Sequence, residues 1–399
     1  MTLSISNVRA VLVDRILDGA TVVVEEGRIV EVRAGGPAPP TAVDGRGAFL
    51  LPGVICSHSD GVEREIWPRL NARFPVDFAL RSFEGRLVAA GVTTVFHGIG
   101  WDHNPGYDRT VEQALELCDV IVARRADADP PCDHRVLHRL EARSEHGWDA
   151  FFSRLPDCER LDAVPLVSYE DHSPGQGQFR DVEKFKSAID PSTLAPGETV
   201  ESLVAARLAE AENRAGVRTA TLATVTELAG SGRVRLLAHD LEDAAQVREA
   251  VGWGTAVVEF PLSRAAAEEA MRCGLPAVMG APNVLRGGSH SGNVAAAELV
   301  AARLCTSLAS DYQPSTLLAA VFKLAADGTC DLPAAVSLVS AGPAAVAGLT
   351  DRGRLDVGLR ADLVLVELDG AWPRVRGLWR AGAAVPALLG DPTLTSGAP

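Results

Sequence analysis

The 399-residue chain is poor in aromatic residues (5%), has no CxxC pair among its seven cysteines, no long apolar run and no excess of positive charge. Each shortage excludes something. Cysteines scattered at Cys56, Cys118, Cys132, Cys158, Cys273, Cys305 and Cys330 support neither a zinc ribbon nor a redox motif. No apolar stretch approaches the ~20 residues of a membrane helix. The N-terminus MTLSISNVRAVLVDRILDGA meets Asp14 early and shows no signal-peptide cleavage pattern. A formal net charge of −14 argues against non-specific binding to nucleic acid or anionic membrane. An anionic substrate is still allowed where local cations or a bound metal reverse the field inside a cleft. With 47% hydrophobic and 23% charged residues, the chain is globular rather than disordered or collagen-like, and is expected in the cytoplasm.

What is present falls into two β-rich ends and a centre of another character. ATVVVEEGRIVEVRAG reads as a hairpin turning at Glu26-Gly27, and ADLVLVELDG with PRVRGLWRAGAAV repeats the strand alternation near the C-terminus. A lone hairpin is only marginally stable in water. The ends are therefore expected to meet in one small β-sandwich domain, residues 1–51 with 350–399. The centre, 52–349, alternates apolar runs with helical stretches. GVICSHSD (53–60), TTVFHGI (93–99), HRVLHRLEA (134–142), AVPLVSYEDH (163–172), VRLLAHD (234–240), AVVEF (256–260), PAVMGAP (276–282) and CTSLASD (305–311) read as strands. They predict an α/β fold, a (β/α)8 TIM-type barrel. Residues 183–230 interrupt the alternation and read as a lid over the mouth or a longer excursion.

Several runs end on His, Asp or Glu, and barrel catalytic groups sit at the C-terminal ends of the strands. His58 and Asp60 are two apart, on one side of a strand and within reach of one ion. Glu141, His172, His239 and Asp311 end further runs that should be buried, where an unpaired ionisable group is costly. One such residue is more often a satisfied structural group, but several at one barrel end favour a shared site for zinc, manganese or another divalent ion. Asp311 is the candidate acceptor of a proton from the attacking water, or else a helix cap. MGAPNVLRGGSHSGNVAAAEL suits an oxyanion. Gly287 and Gly288 allow close backbone approach, Asn283, Ser289, His290, Ser291 and Asn293 supply hydrogen-bonding groups, and Arg286 adds a cation. The loop leads into NVAAAELVAARL, a helix whose N-terminus would favour anions. Gln176 of DHSPGQGQF and Arg64 after the first strand complete the substrate-facing set. His97, His103, His134 and His138 read as structural.

These motifs carry a resemblance. The β-rich ends around such a barrel, with LLPGVICSHSD entering the first strand and GRLDVGLRADLVLVE returning to the small sheet, resemble the amidohydrolase superfamily. Within it, HSD at 58–60, VSYEDHSPGQGQF, MGAPNVLRGGSHSGNVAAAEL and SDYQPSTLL resemble the triphosphate diphosphatases of phosphonate metabolism, in the carbon–phosphorus lyase pathway. The resemblance implies hydrolysis of a ribose 1-alkylphosphonate 5-triphosphate, or a related phosphorylated sugar, to the 5-monophosphate and pyrophosphate. It implies one or two divalent ions, zinc first and manganese or nickel next, on His58, Asp60, Glu141, His172 and His239, with Asp311 catalytic. The partner is then a small phosphorylated molecule, without nucleic acid or membrane, and a homo-oligomer is left open. Two other readings stand beside it: an amidase or deaminase cleaving a C–N bond, and a non-catalytic binding component. Where the family reads Asn-Leu-Glu-Lys-His after HxD, this chain has Gly61-Val62-Glu63-Arg64-Glu65. TTVFD becomes a run ending Phe96-His97, and Leu241 follows His239-Asp240. Changes at Gly61, Glu65, His97 and Leu241 are expected near the mouth, where they would bear on the sugar's substituent.

Overall fold

The computed structural model describes residues 2–36, 41–69, 72–103, 109–162, 164–191, 194–195, 197–289 and 292–385. The chain opens with β1 (Thr2–Val11), β2 (Ile16–Glu25), β3 (Arg28–Ala34), β4 (Val43–Asp44) and β5 (Phe49–Pro52). The expected turn joins β2 to β3. Glu26 and Gly27 both take positive φ (49° and 78°), as a two-residue hairpin of matching twist requires. Then come β6 (Val54–Ser59), β7 (Val92–Gly100), β8 (Asp133–Glu141), β9 (Leu166–Glu170), β10 (Arg235–His239), β11 (Val257–Glu259), β12 (Ala277–Gly280) and β13 (Ser307–Ala309). Each lies on one of the eight apolar runs, and β6 to β13 pair in parallel in chain order. Helices cross between them, the connection that parallel strands need.

β14 (Leu363–Asp369), β15 (Trp372–Arg380) and β16 (Ala383–Ala384) return to the first group. β14 lies antiparallel to β5, and the order β16-β15-β14-β5-β1-β2-β3, with β4 beside β1, makes one sheet from both ends of the chain. Ile29 of β3 and Trp379 of β15, on opposite flanks, enter one apolar cluster with Ile5, Val22, Leu50 and Leu363. The sheet therefore curls over its own core.

Side chains alternate along each barrel strand, so every strand has an inner and an outer face. Phe96, Leu137, Leu166, Leu237, Val257, Val278 and Ala309 form one inner apolar layer, joined by Val346. Two positions further on, the same face carries Gly98, Arg139, Ser168, His239, Glu259, Gly280 and Asp311, with Glu141 and Glu170 beyond. The apolar layer is the floor of the polar one. The ring closes at that level by a parallel bridge between Ser59 and Asp311. Asp60 N donates to Asp311 O at 2.8 Å, and Asp311 N to His58 O at 3.1 Å. Elsewhere along the seam the Leu338 and Val339 carbonyls accept from Leu308 N and Ile55 N at 2.7 and 2.8 Å. Residues 183–230 fall largely into the helices Val182–Ala188, Val200–Asn213 and Ala215–Gly230. The last buries Thr221, Val225 and Leu228, which places it in the helical layer rather than in a lid. Among the described residues no helix is long and apolar enough to cross a membrane.

Candidate active site

His58 lies near the end of β6, buried, with Nδ1 2.9 Å from Glu259 Oε1 and Nε2 3.2 Å from Asp60 Oδ1. Glu259 ends β11 without exposed surface. Its other oxygen meets His239 Nδ1 at 2.9 Å and accepts from the Ser168 hydroxyl at 2.7 Å. One carboxylate thus orients two imidazoles through the same ring nitrogen. Burial opposes charge here, yet Glu259 and Asp60 lift His58 well above the ordinary histidine range. Glu259, against the same desolvation, is held below the usual carboxylate range by His58 and His239. Sequence reasoning missed Glu259, although a carboxylate closing the buried strand of AVVEF was an available signal.

A second set of charges crosses the barrel from β8. Arg139 reaches Asp60 Oδ1 with Nη1 at 3.0 Å and grips Glu170 of β9 with Nε and Nη2 at 2.9 and 3.0 Å. Gly98 leaves the space, because a Cβ there would lie 2.6 Å from Asp60 Oδ1 and 3.0 Å from Arg139 Cδ. Burial would raise both carboxylates, but Arg139 with His58 at Asp60, and with His239 and His172 at Glu170, keeps them below their usual range. His172, just past β9, pairs through Nδ1 with Glu141 of β8. Against burial, Glu141, Glu170 and Asp240 push its pKa up to about 10.

Three donor groups result, each with its ligand atoms within 4.8 Å of one another: His58–His239–Glu259, His172–His239–Asp240 and Glu141–Glu170–His172. Shared histidines join them into one cluster, and Asp60 stands outside all three. Asp240 takes a φ of +55° and keeps Oδ2 buried without a hydrogen-bond partner. The carboxylates of Asp60, Glu141, Glu170, Asp240, Glu259 and Asp311 outnumber the Arg139 guanidinium among them, so the cluster favours cations. A mixed imidazole and carboxylate set with an unpaired buried oxygen fits a divalent ion.

Asp311 follows β13 with a φ of +54°, fixed by the main-chain bonds that close the ring. Burial and the neighbouring Asp60 push its carboxyl up to about 6, near where a general base works best. It does not cap the next helix, which starts at Thr316 with Ser315 as N-cap. At the rim, Arg64 of the helix Gly61–Ile66 and Arg286 of the helix Ala281–Arg286 both reach Tyr312. Gly287 ends the second of these helices with a φ of 78°, and Gly288 N donates to Asn283 O.

Asn283 is turned into its own loop. Its Nδ2 donates to Val294 O at 3.3 Å and its Oδ1 accepts from Ala296 N at 2.9 Å, so it braces the segment rather than facing a substrate. The following helix begins at Ala296 rather than Asn293 and has six residues, and the Ala296 amide is already taken by Asn283. The expected anion-binding helix start is therefore not formed. Ser289 lies in the same loop, while His290 and Ser291 lie outside the described residues. Gln176 is exposed in the turn after β9, where a Cβ on Gly177 would sit 3.2 Å from Asp240 Cβ.

The four departures expected at the mouth face elsewhere. Gly61 lies against Phe83, whose ring would be 2.2 Å from an added Cβ. Glu65 takes Arg86 Nη1 at 2.7 Å and the Ser82 hydroxyl at 3.2 Å. His97 is in mid-strand on the outer face of β7, its Nε2 2.9 Å from His134 Nδ1, and His134 reaches Glu84 at 3.0 Å. Leu241 packs with Val247 and Ala266. Each change is absorbed by the helical layer, which the strand pattern alone does not describe. His138, among Trp101 and Phe151, shares that outer face.

No protein-family model matches the chain. It is 34% identical over 393 residues to the alpha-D-ribose 1-methylphosphonate 5-triphosphate diphosphatase of Escherichia coli (strain K12), covering 96% of this chain and 99% of that relative. Among solved structures it resembles a 5-methylcytosine deaminase from Klebsiella pneumoniae liganded with 5-fluorocytosine (TM-score 0.60, 14% identity, 96% of this chain and 97% of that one). It also resembles an adenosine deaminase from Xanthomonas campestris with bound zinc (TM-score 0.57, 16% identity, 99% and 95%). These likenesses show the fold, which an amidohydrolase shares at TM-score 0.56 and 17% identity over 96% of this chain and 98% of that one. The chain is a hydrolase of the amidohydrolase fold and belongs to the family of α-D-ribose 1-methylphosphonate 5-triphosphate diphosphatases.

Proposed function

We propose that the chain hydrolyses a ribose 1-alkylphosphonate 5-triphosphate, or a closely related phosphorylated sugar, to the 5-monophosphate and pyrophosphate, as a step in phosphonate metabolism. The observation that carries this reading is the place of Asp311, a carboxylate raised to about 6 beside His58 and followed by Tyr312, where two rim arginines meet. Identity of 34% along almost the whole chain to an enzyme of that name supports the substrate class.

A water oxygen forms a bond to the α-phosphorus while the bond to the α,β-bridging oxygen breaks. The water's proton passes to the Asp311 carboxylate, and pyrophosphate leaves with the bonding pair. Glu141, His172, His239 and Asp240 would hold a divalent ion, with zinc the first choice and manganese or nickel next. When bound, such an ion polarises phosphoryl oxygens and acidifies water. Glu259 fixes the rings of His58 and His239, and Arg139 fixes Asp60 and Glu170. Arg64 and Arg286 meet the phosphoryl oxygens, whereas the Gly287 and Gly288 amides are already taken by Val284 O and Asn283 O. The floor from Phe96 to Ala309 keeps water from the inner side.

Pyrophosphate release from ribose 1-methylphosphonate 5-triphosphate, beside nucleoside triphosphates, on protein loaded with zinc, manganese or nickel tests the reading. Turnover of the phosphonate sugar is expected. Ammonia release from aminopurines or cyclic amides, with no pyrophosphate from any triphosphate, would overturn it.

A further inference from the structure

Tyr312 follows Asp311 and is the meeting point of two cations from different elements. The Arg64 guanidinium carbon stands 5.1 Å from the Tyr312 ring centroid, and Arg286 Nη1 donates to Tyr312 Oη at 2.6 Å. Arg64 comes from the helix after β6, Arg286 from the helix after β12, and Tyr312 from the chain just past β13. The three elements are neighbours across the seam where the barrel closes. Both arginines are exposed, and exposed arginines are flexible unless something orients them. Here one side chain does so twice, with its ring face for Arg64 and its hydroxyl for Arg286.

We propose that Tyr312 is a positioning residue that assembles Arg64 and Arg286 into one clamp for the leaving diphosphate of the substrate. This rests on the triphosphate reading above. The argument is electrostatic. The interior around His172 and His239 is crowded with carboxylates, including Glu141, Glu170 and Asp240, and it repels a polyphosphate tail. Arg64 acts on the Asp311 carboxylate and both guanidiniums meet at Tyr312, the next residue, so a triphosphate attacked at its α-phosphorus next to that carboxylate extends its outer two phosphates over Tyr312. Two forked donors held side by side match the oxygens of a diphosphate.

The test is product inhibition at fixed free metal concentration, with inorganic pyrophosphate as probe and ribose 5-phosphate as control. Tyr312→Phe keeps the ring for Arg64 and removes only the hydroxyl's hydrogen bond to Arg286. It should raise the Ki of pyrophosphate by about tenfold, the size of a lost charged hydrogen bond, and leave that of ribose 5-phosphate unchanged. Arg286→Met, an exposed position, should do the same. The double variant should be no worse than Arg286→Met alone, because both changes remove one interaction. Tyr312→Ala should weaken pyrophosphate further by removing the ring under Arg64 as well. If wild type releases and binds pyrophosphate but Tyr312→Phe leaves its Ki unchanged, or the two single effects multiply, the role of Tyr312 is overturned and the functional reading stands. If wild type neither releases pyrophosphate nor is inhibited by it, both fall.

Discussion

At Glu259 a single carboxylate takes the Nδ1 atoms of His58 and His239 together, so the orientation of both rings depends on one side chain. Glu259→Gln keeps the volume but leaves one acceptor oxygen, and one imidazole must then change tautomer or lose its partner. Zinc affinity, read by competition with a chromophoric chelator, should fall about 10–100-fold. Unchanged affinity would show that the rings are held by something else. Asp311→Asn should cost about 10²–10⁴ in kcat while metal content persists. Wild-type turnover in that variant would sink the assigned role. Because burial and Asp60 push Asp311 up to about 6, the acceptor is protonated below that pH. The wild-type rate should therefore fall on the acid side of about pH 6 and level off above it. His58, Asp60, Glu141, His239 and Asp311 were legible because each ends an apolar run. Arg139 and Glu170 sit two positions before Glu141 and His172, on the same inner face. They were passed over because a charge within a strand reads from sequence as an outward, solvated one.

The eight barrel strands were legible as elements because both of their faces are buried, which leaves continuous apolar runs. Where a residue turns within the helical layer was not. The ring of Phe83 presses on Gly61, and Asn283 delays the helix that starts at Ala296, contacts no spacing rule describes. The outer faces of β7 and β8 carry their own acid sensitivity. His138 sits among Trp101 and Phe151, and burial pushes its pKa down to about 3 from an ordinary 6.5. His97 is likewise depressed, by burial and then by His134. These rings stay neutral in the fold, whereas the unfolded chain takes up their protons below about pH 6.5. The unfolded state then binds more protons, so stability falls as pH drops from about 6.5 towards 3, by up to about 1.4 kcal/mol per pH unit for each group. His138→Phe should make the decline of Tm between pH 6.5 and 4 shallower than in wild type. An equally steep decline would place the acid sensitivity elsewhere.

At the scale of the whole molecule, the two ends of the chain build one sheet, and a buried cation ties that sheet to the barrel. Arg352 donates through Nη1 to Asp133 Oδ2 at 2.8 Å and Thr94 Oγ1 at 3.0 Å, and Asp362 lies 3.9 Å away just before β14. Against burial, Arg135 and Arg352 hold Asp133 down to about 2. Arg352→Met removes the cation shared by Asp133 and Thr94 while Arg135 stays on Asp133 and Arg360 on Asp362, and should lower unfolding stability by about 1.5–3 kcal/mol in urea titrations. Adding Asp133→Asn should restore part of that loss, and a loss below about 1 kcal/mol would remove the tie from the account. That the β-rich ends meet was legible, since neither hairpin is stable alone, but Arg352 was not, because its partners come from β7, β8 and the chain before β14. The seam between first and last barrel strands is closed by main-chain bonds of residues 58–60 and 311, without help from the Asp311 carboxylate. Position 311 needs only a residue that tolerates its left-handed backbone, which asparagine does more readily than alanine. Chemistry and architecture are thus separable at this one residue: the Asn variant keeps the hoop shut with its proton acceptor gone, and becomes a trap in which an uncleaved triphosphate can be followed by phosphorus NMR.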